Sequence, residues 1–238
     1  MCGRYTLRTP ANLLIEHFAL ERGALAQLVS YLPRFNVAPT QTAPVIRRGD
    51  PPFPRRRLAW MRWGLIPSWS KQFASARPLI NARSETVAEK ASFRTSFRRR
   101  RCLIPADGFY EWRAMRGRKQ PYYIRRADAR PFAFAGLWDA WHGSADGQPP
   151  LETCVILTAS ANRVIAPLHD RMPVILAPHD YDRWLADDGA PLAEDEVRRL
   201  LAPLSEDELI ADPVSTRVNQ ASCDDAQCIV VADDLLGD

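Results

Sequence analysis

Cys102-Leu103-Ile104-Pro105-Ala106-Asp107-Gly108-Phe109-Tyr110-Glu111-Trp112 decides the fold class. A short apolar run meets an Asp-Gly turn and is followed by an aromatic run, the signature of strands joined by tight connections. The pattern continues outward in both directions. Downstream, Arg116-Gly117-Arg118-Lys119 reads as a hairpin tip before a strand from Tyr122 to Arg125. Alternation from Phe132 to Trp138, the run Cys154 to Thr158 and the run Met172 to Leu176 read as further strands. Upstream, Arg55-Arg56-Arg57 precedes a strand from Leu58 to Trp63, and Phe35 to Ile46 reads as an extended segment broken by Pro39 and Pro44. Helix signals are fewer: Thr9-Pro10 as N-cap and first turn ahead of Leu13, Leu14 and Phe18, an irregular helix over 84–98, and helices over about 178–186 and 192–202. Ser205-x-x-Glu208 resembles a capping box.

With no repeating strand–helix–strand rhythm, these elements predict an α+β fold. Its sheet is curled, barrel-like and mostly antiparallel, with peripheral helices. The 20 prolines suit strand edges and loops. No linker-like break interrupts the 238 residues, so a single domain over 1–238 is expected.

A hydrophobic content of 46% with 25% charged residues is that of an ordinary globular chain. No apolar run approaches the ~20 residues of a membrane span, and the start lacks a secretory signal's apolar segment. The expected setting is the cytoplasm or a nucleoid-type compartment, with no membrane partner. The five cysteines (Cys2, Cys102, Cys154, Cys223, Cys228) are scattered, odd in number and without a C-x-x-C pair. That argues against a disulfide framework and a zinc site, so neither metal nor cofactor is expected. Cys102 and Cys154, in apolar runs, are expected in the core.

The net charge of +4 hides an asymmetry: residues 1–126 carry 25 Lys+Arg against 7 Asp+Glu, and residues 127–238 carry 7 against 21. Arginine supplies 29 of the 32 basic residues. Two readings stand: a basic half that grips an anionic polymer through bidentate phosphate contacts, or two halves that neutralise each other.

The chain opens Met1-Cys2-Gly3-Arg4-Tyr5, and trimming of the initiator methionine leaves Cys2 at the N-terminus. An N-terminal cysteine carries an α-amine of pKa about 7.7–8.0 two carbons from a thiol of pKa about 8.5. The amine condenses with an aldehyde to an imine, and the thiol closes onto it as a thiazolidine. No internal cysteine does this, because its nitrogen is an amide. Three more polar groups stand in apolar or turn-rich settings: Asn81 after Leu79-Ile80, Glu111 between Tyr110 and Trp112, and His169 ahead of Asp170-Arg171-Met172-Pro173. A carboxylate between aromatics is placed for proton transfer. Each has a structural alternative: Glu111 as an arginine's partner, His169 as a hydrogen-bonded support, Asn81 as a turn cap. His17, His142 and His179 read as surface or structural residues.

Read together, Met1-Cys2-Gly3-Arg4-Tyr5, Asn36-Val37-Ala38-Pro39-Thr40, Trp63-Gly64-Leu65-Ile66-Pro67, Asn81-Ala82-Arg83-Ser84-Glu85-Thr86, Gly108-Phe109-Tyr110-Glu111-Trp112, His169-Asp170-Arg171-Met172-Pro173 and Pro213-Val214-Ser215-Thr216-Arg217-Val218-Asn219 resemble, in order, the SOS-response-associated peptidase (SRAP) family. The resemblance runs from residue 2 to about 219. It implies a sensor and shield for abasic sites in single-stranded DNA, with a thiazolidine crosslink through Cys2. By the same resemblance Asn81 orients the amine and sugar, Glu111 relays protons at amine and imine, and His169 donates a proton that opens the deoxyribose ring. Arg4, Arg83 and Arg171 fall at positions resembling phosphate contacts. Trp69 resembles a stacking wedge, Asn36 and Pro39 border the groove, and Thr158 is a further contact. The peptidase label fits removal of Met1 by the same site, and the protein is expected to act as a monomer. The segment after Asn219, Gln220-Ala221-Ser222-Cys223, lacks the glycine-rich form expected there. The alternatives are a cysteine peptidase acting on other proteins and a non-catalytic arginine-rich binder of single-stranded nucleic acid.

Overall fold

A computed structural model describes residues 2–21, 23–49, 56–71, 78–115, 118–143, 149–186 and 192–232. In chain order they form β1 (Tyr5–Leu7), α1 (Ala11–His17), α2 (Ala24–Gln27), β2 (Arg34–Val37), β3 (Thr42–Arg48) and β4 (Arg56–Trp63). Then come β5 (Asn81–Arg83), α3 (Arg94–Arg99), β6 (Arg101–Ala106), β7 (Gly108–Met115), β8 (Arg118–Arg126), β9 (Phe132–Trp141) and β10 (Leu151–Ser160). The chain closes with β11 (Arg171–Pro173), β12 (Ile175–Leu176), α4 (Tyr181–Leu185), α5 (Glu194–Leu200) and β13 (Leu209–Pro213).

The strands make two sheets. In the larger, the path β10-β4-β3-β6-β9 returns to β10 through the β9–β10 pairing and so closes a five-strand barrel. Pairing is antiparallel except where β10 runs parallel to β4 and to β5. The smaller sheet has the order β13-β8-β7-β1-β2, all antiparallel. The curled, mostly antiparallel α+β architecture read from the sequence is therefore present. No described helix is long and apolar enough to cross a membrane.

The chain crosses between sheets at the Asp107-Gly108 turn, so β6 and β7 do not pair with each other. Asp107 is buried and accepts from the backbone N–H groups of Arg8 and Thr9 and from the Thr9 hydroxyl. Thr9 is thereby engaged away from α1, which starts without a side-chain cap. Gly108 passes so close to β8 that an added Cβ would lie 2.4 Å from the Tyr123 ring. Tyr123 is held in turn by Thr6 at 2.9 Å, so the ring has little room to yield. Gly108→Ala is expected to destabilise the protein by about 1–3 kcal/mol through overpacking. A urea midpoint equal to that of the parent would show that the ring moves aside.

Aromatic rings join the sheets. Tyr5 of β1 meets Trp63 of β4 edge-on at 5.3 Å and Phe134 of β9 at 5.9 Å, and Phe109 of β7 meets Phe134 at 6.0 Å. Such pairs contribute about 0.5–1.5 kcal/mol each beyond their burial. They anchor the chain three residues after Cys2.

Three expectations change in detail. Pro44 lies inside β3 rather than breaking it. The stretch 84–98 is mostly turns, with a helix only at α3. The run 172–176 divides at Val174, whose N–H donates to Leu157 O of β10 while its carbonyl accepts from Ala135 N–H of β9. Val174 thus wedges between the two strands where their own pairing ends. Cys102 and Cys154 are buried as expected, and Ser205 caps nothing with its side chain.

The opposite charges of the two chain halves meet inside the molecule. Arg34 pairs with Asp224, Arg47 with Glu152, Arg56 with Asp182, Arg100 with Asp139, Arg125 with Asp212 and Arg126 with Glu208. These pairs engage six of the 25 cations of residues 1–126.

Candidate functional site

Cys2 lies beneath the surface, 0% exposed. Its carbonyl accepts a 2.9 Å hydrogen bond from Asn81 Nδ2, and its Sγ approaches Arg4 O at 3.8 Å. Asn81 begins β5, where its register against Ile156 of β10 fixes its height beside the barrel. The Asn81 Oδ1 is buried and accepts no hydrogen bond among the described residues. Burial pushes the Cys2 thiol well above its ordinary value, and the nearby Glu111 charge adds to the shift. At neutral pH the sulfur is a thiol.

Glu111 sits on β7 opposite Tyr122 of β8, 3% exposed. Burial raises its carboxyl to about 7, against the opposing charge of the amino terminus and with Asp170 adding to the rise. A carboxyl poised there both accepts and donates protons at neutral pH.

His169 follows a turn in which its N–H donates to Ile165 O. Its Nδ1 accepts from the Arg171 backbone N–H at 2.9 Å, which leaves the ring proton on Nε2. Asp170 Oδ1 stands 2.7 Å from the same Nδ1, a pairing open only to a ring protonated there. Burial, then the amino terminus, holds the imidazole below its ordinary value, so the neutral ring bonded to Arg171 is the state at neutral pH.

Glu111 and His169 line one cleft of about 440 Å³ together with Arg4, Trp112, Lys119 and Asn219. The arrangement puts a proton-transferring carboxyl, an imidazole N–H donor and two cations around one space. Cys2 lies within electrostatic reach of Glu111, whose charge acts on its thiol.

A family model described as SOS response associated peptidase (SRAP) matches residues 1–221. The chain belongs to the SRAP family. Among similar proteins, the Bacillus subtilis abasic site processing protein YoaM is 38% identical over 232 residues, covering 96% of this chain and 97% of that protein. The Xenopus tropicalis abasic site processing protein HMCES is 32% identical over 225 residues, 84% of this chain and 66% of that one. A crystal structure of a protein from Bacteroides thetaiotaomicron superposes with a TM-score of 0.84 at 26% identity, covering 97% of this chain and 100% of the other. One from Bordetella bronchiseptica gives 0.73 at 30% identity, over 90% and 100%.

In this SRAP protein the expected DNA-facing residues divide into two groups. Arg83 on β5 and Trp69, 64% exposed, face solvent, and no carboxylate pairs with Arg83 among the described residues. Arg4 lines the cleft, its guanidinium donating to Asn36 Oδ1 (3.0 Å), Val218 O (2.7 Å) and Asn219 O (3.4 Å). Those acceptors are neutral, so its positive charge remains available. Pro39 is half-buried ahead of Thr40, whose N–H donates to Trp63 O at 2.7 Å.

Asn36, Thr158 and Arg171 sit inside the SRAP fold rather than on its rim. Asn36 is 0% exposed, and its Nδ2 donates to Val218 O, Gln220 O and Cys223 O. It straps the segment after β13 onto β2 and presents an acceptor to Arg4. Thr158 is fully buried, and its carbonyl accepts from Ser84 N–H and from Arg171 Nη2. Arg171, 9% exposed, is held bidentately by Glu85 at 2.6 and 2.9 Å. Sequence reasoning missed Trp112, Lys119 and Asn219 as cleft residues. Trp112 and Asn219 lay within quoted motifs, and they meet through a 2.7 Å bond from Trp112 Nε1 to Asn219 Oδ1. Lys119 belonged to the predicted hairpin tip, but only the β7–β8 register brings it to the cleft.

Proposed function

We propose that this protein recognises abasic sites in single-stranded DNA and forms a covalent thiazolidine adduct through Cys2 once Met1 is removed. The observation that carries the reading is one cleft lined by both Glu111 and His169, with Cys2, whose carbonyl Asn81 holds, within electrostatic reach of Glu111. The relatives YoaM and HMCES are named abasic site processing proteins, which supports the same substrate.

Hydrolysis of the Met1–Cys2 bond releases methionine and frees the Cys2 amine. As the closed deoxyribose opens, the bond from C1′ to the ring oxygen breaks, the C1′ hydroxyl gives up a proton to water and the ring oxygen takes one up from water, while His169 Nε2–H hydrogen-bonds that oxygen and stabilises its developing charge. Glu111 as carboxylate takes a proton from the amine, which adds to the aldehyde carbon. Glu111 as acid then protonates the departing hydroxyl, so one water leaves and an imine forms. The Cys2 thiol adds across the C=N bond, sulfur to carbon and its proton to nitrogen. No electrons are gained or lost overall. Ring closure removes the imine that would otherwise expel the 3′-phosphate, so the strand stays intact. A peptidase acting on other proteins needs the sulfur as a thiolate, and the raised Cys2 thiol weighs against it.

The test begins with intact mass spectrometry of the purified protein to establish loss of Met1. Single-stranded DNA carrying one abasic site is then expected to give an adduct that survives heat and detergent, and undamaged DNA none. Absence of an adduct from protein that begins at Cys2 would overturn the proposal.

Noncovalent binding should be electrostatic and aided by stacking. Arg83→Ala is expected to weaken affinity for all sequences alike and to reduce the slope of log affinity against log salt by about 0.7. Trp69→Ala should cost about 1–3 kcal/mol of affinity through a lost stacking partner. Fluorescence anisotropy over a salt series checks both, and salt-independent affinity would exclude a phosphate-tracking surface.

A further inference from the structure

We infer that Glu85 is a positioning residue that sets which nitrogen of His169 carries the proton, acting through Arg171. Two groups compete for His169 Nδ1. The Arg171 backbone N–H donates to it at 2.9 Å, which requires a lone pair there. The Asp170 carboxylate, 2.7 Å away, favours a proton on the same atom. If Asp170 prevails in the neutral ring, Nε2 becomes an acceptor and the donor to the sugar oxygen is lost.

What holds the Arg171 N–H in place is the far end of its own side chain. The guanidinium is clamped bidentately by Glu85 Oε1 and Oε2, and Nη2 also donates to Thr158 O. Thr158 O accepts Ser84 N–H as well, at 2.9 Å, so the turn carrying Glu85 is tied to the same atom of β10. Strand β11, which begins at Arg171, pairs with β10 through Ser160. The Arg171 backbone is therefore fixed by the strand on one side and by the Glu85 clamp on the other. A bidentate arginine–carboxylate pair is directional as well as strong, which suits it to a strut. The charged groups acting on His169 are Asp170, Arg171 and the amino terminus, and Glu111, Arg4 and Lys119 share its cleft.

The consequence for rate rests on the abasic-site reading above; the consequence for the proton does not. Nitrogen-15 NMR of histidine-labelled full chain without DNA reads the proton's position directly. The parent is expected to show the Nε2–H tautomer at His169, and Glu85→Ala and Glu85→Gln a shift toward Nδ1–H. In single turnover at saturating DNA, the two variants should form adduct about 10–100-fold more slowly on closed-ring abasic DNA, the penalty of a misplaced group. With a simple aldehyde that has no ring to open, they should match the parent. Glu85→Gln keeps the size and shape of the side chain but replaces one accepting oxygen with a donating NH2, so it breaks the bidentate clamp and reports even if Glu85→Ala fails to fold. Retention of the Nε2–H tautomer in Glu85→Gln would overturn the inference. So would tighter DNA binding with a salt slope steeper by about 0.7, since Glu85 would then be masking Arg171 from phosphate. If the parent itself forms no adduct, the abasic-site reading fails while the tautomer measurement still decides the role of Glu85.

Discussion

Cys2→Ala is expected to abolish the stable adduct with abasic single-stranded DNA while leaving noncovalent binding of that DNA in place. The thiol is the group proposed to close the imine. The contacts that hold this part of the chain are the Cys2 carbonyl on Asn81 and the Tyr5 ring against Trp63 and Phe134. Neither uses the sulfur, whose own contact with Arg4 O is long at 3.8 Å, so the substitution removes the chemistry and keeps the main anchors of this segment. Cys2→Ser separates the two halves of the reaction. Its amine still condenses, but a hydroxyl closes the ring poorly, so borohydride should trap an imine and strand cleavage should rise relative to stable adduct. A heat-stable adduct from Cys2→Ala would place the nucleophile elsewhere. Failure to trap any imine with Cys2→Ser would refute the amine as the first nucleophile.

Glu111→Gln and His169→Ala are each expected to slow adduct formation by roughly 10²–10⁴-fold, the range of general acid–base catalysis. Their signatures differ. Glu111 serves the amine and imine, so its loss should slow reaction with closed-ring DNA and simple aldehyde alike. Loss of His169 should matter only where a ring must open, and equal slowing of both substrates would exclude that role.

Glu111 also predicts a pH dependence of defined sign. Burial raises its carboxyl from 4.5 to about 7, so between those values the folded protein keeps a proton that the unfolded chain has released. Its contribution to stability is complete below about 4.5 and is lost as pH rises through about 7. Glu111→Gln, which carries no charge to bury, should gain denaturation midpoint relative to the parent as pH rises from about 5 to about 8. The same substitution should remove the inflection near neutral pH from the rate profile. A variant that is slower but gains no relative stability with pH would mean that Glu111 ionises freely in the folded state.

The residues proposed to carry the chemistry were legible because their local patterns are unusual. An N-terminal cysteine after methionine, a glutamate between aromatics and a histidine before Asp-Arg-Met-Pro stand out in any order. Long strands such as β4, β9 and β10 announced themselves by alternation or apolar runs, since each buries enough side chains to leave a pattern. Strands β1 and β5 did not. At three residues each they carry no period, and they exist only because β7 and β10 offer partners. The barrel's closure was equally unreadable, because the β9–β10 contact depends on register and twist rather than on composition.

By itself, the sequence determined the kinds of groups available, the order of the main elements and the imbalance of charge between the halves. Tertiary structure alone decided how each group is used. It tied some of the arginines to carboxylates of the other half, turned Asn36, Thr158 and Arg171 inward, and brought Trp112, Lys119 and Asn219 to the cleft. It also moved the Glu111 carboxyl to about neutrality. The physical reason is common to all of these. Burial and hydrogen-bond partnership are properties of three-dimensional neighbours, most of them far apart in the chain, and both the pKa and the availability of a charge follow from those neighbours.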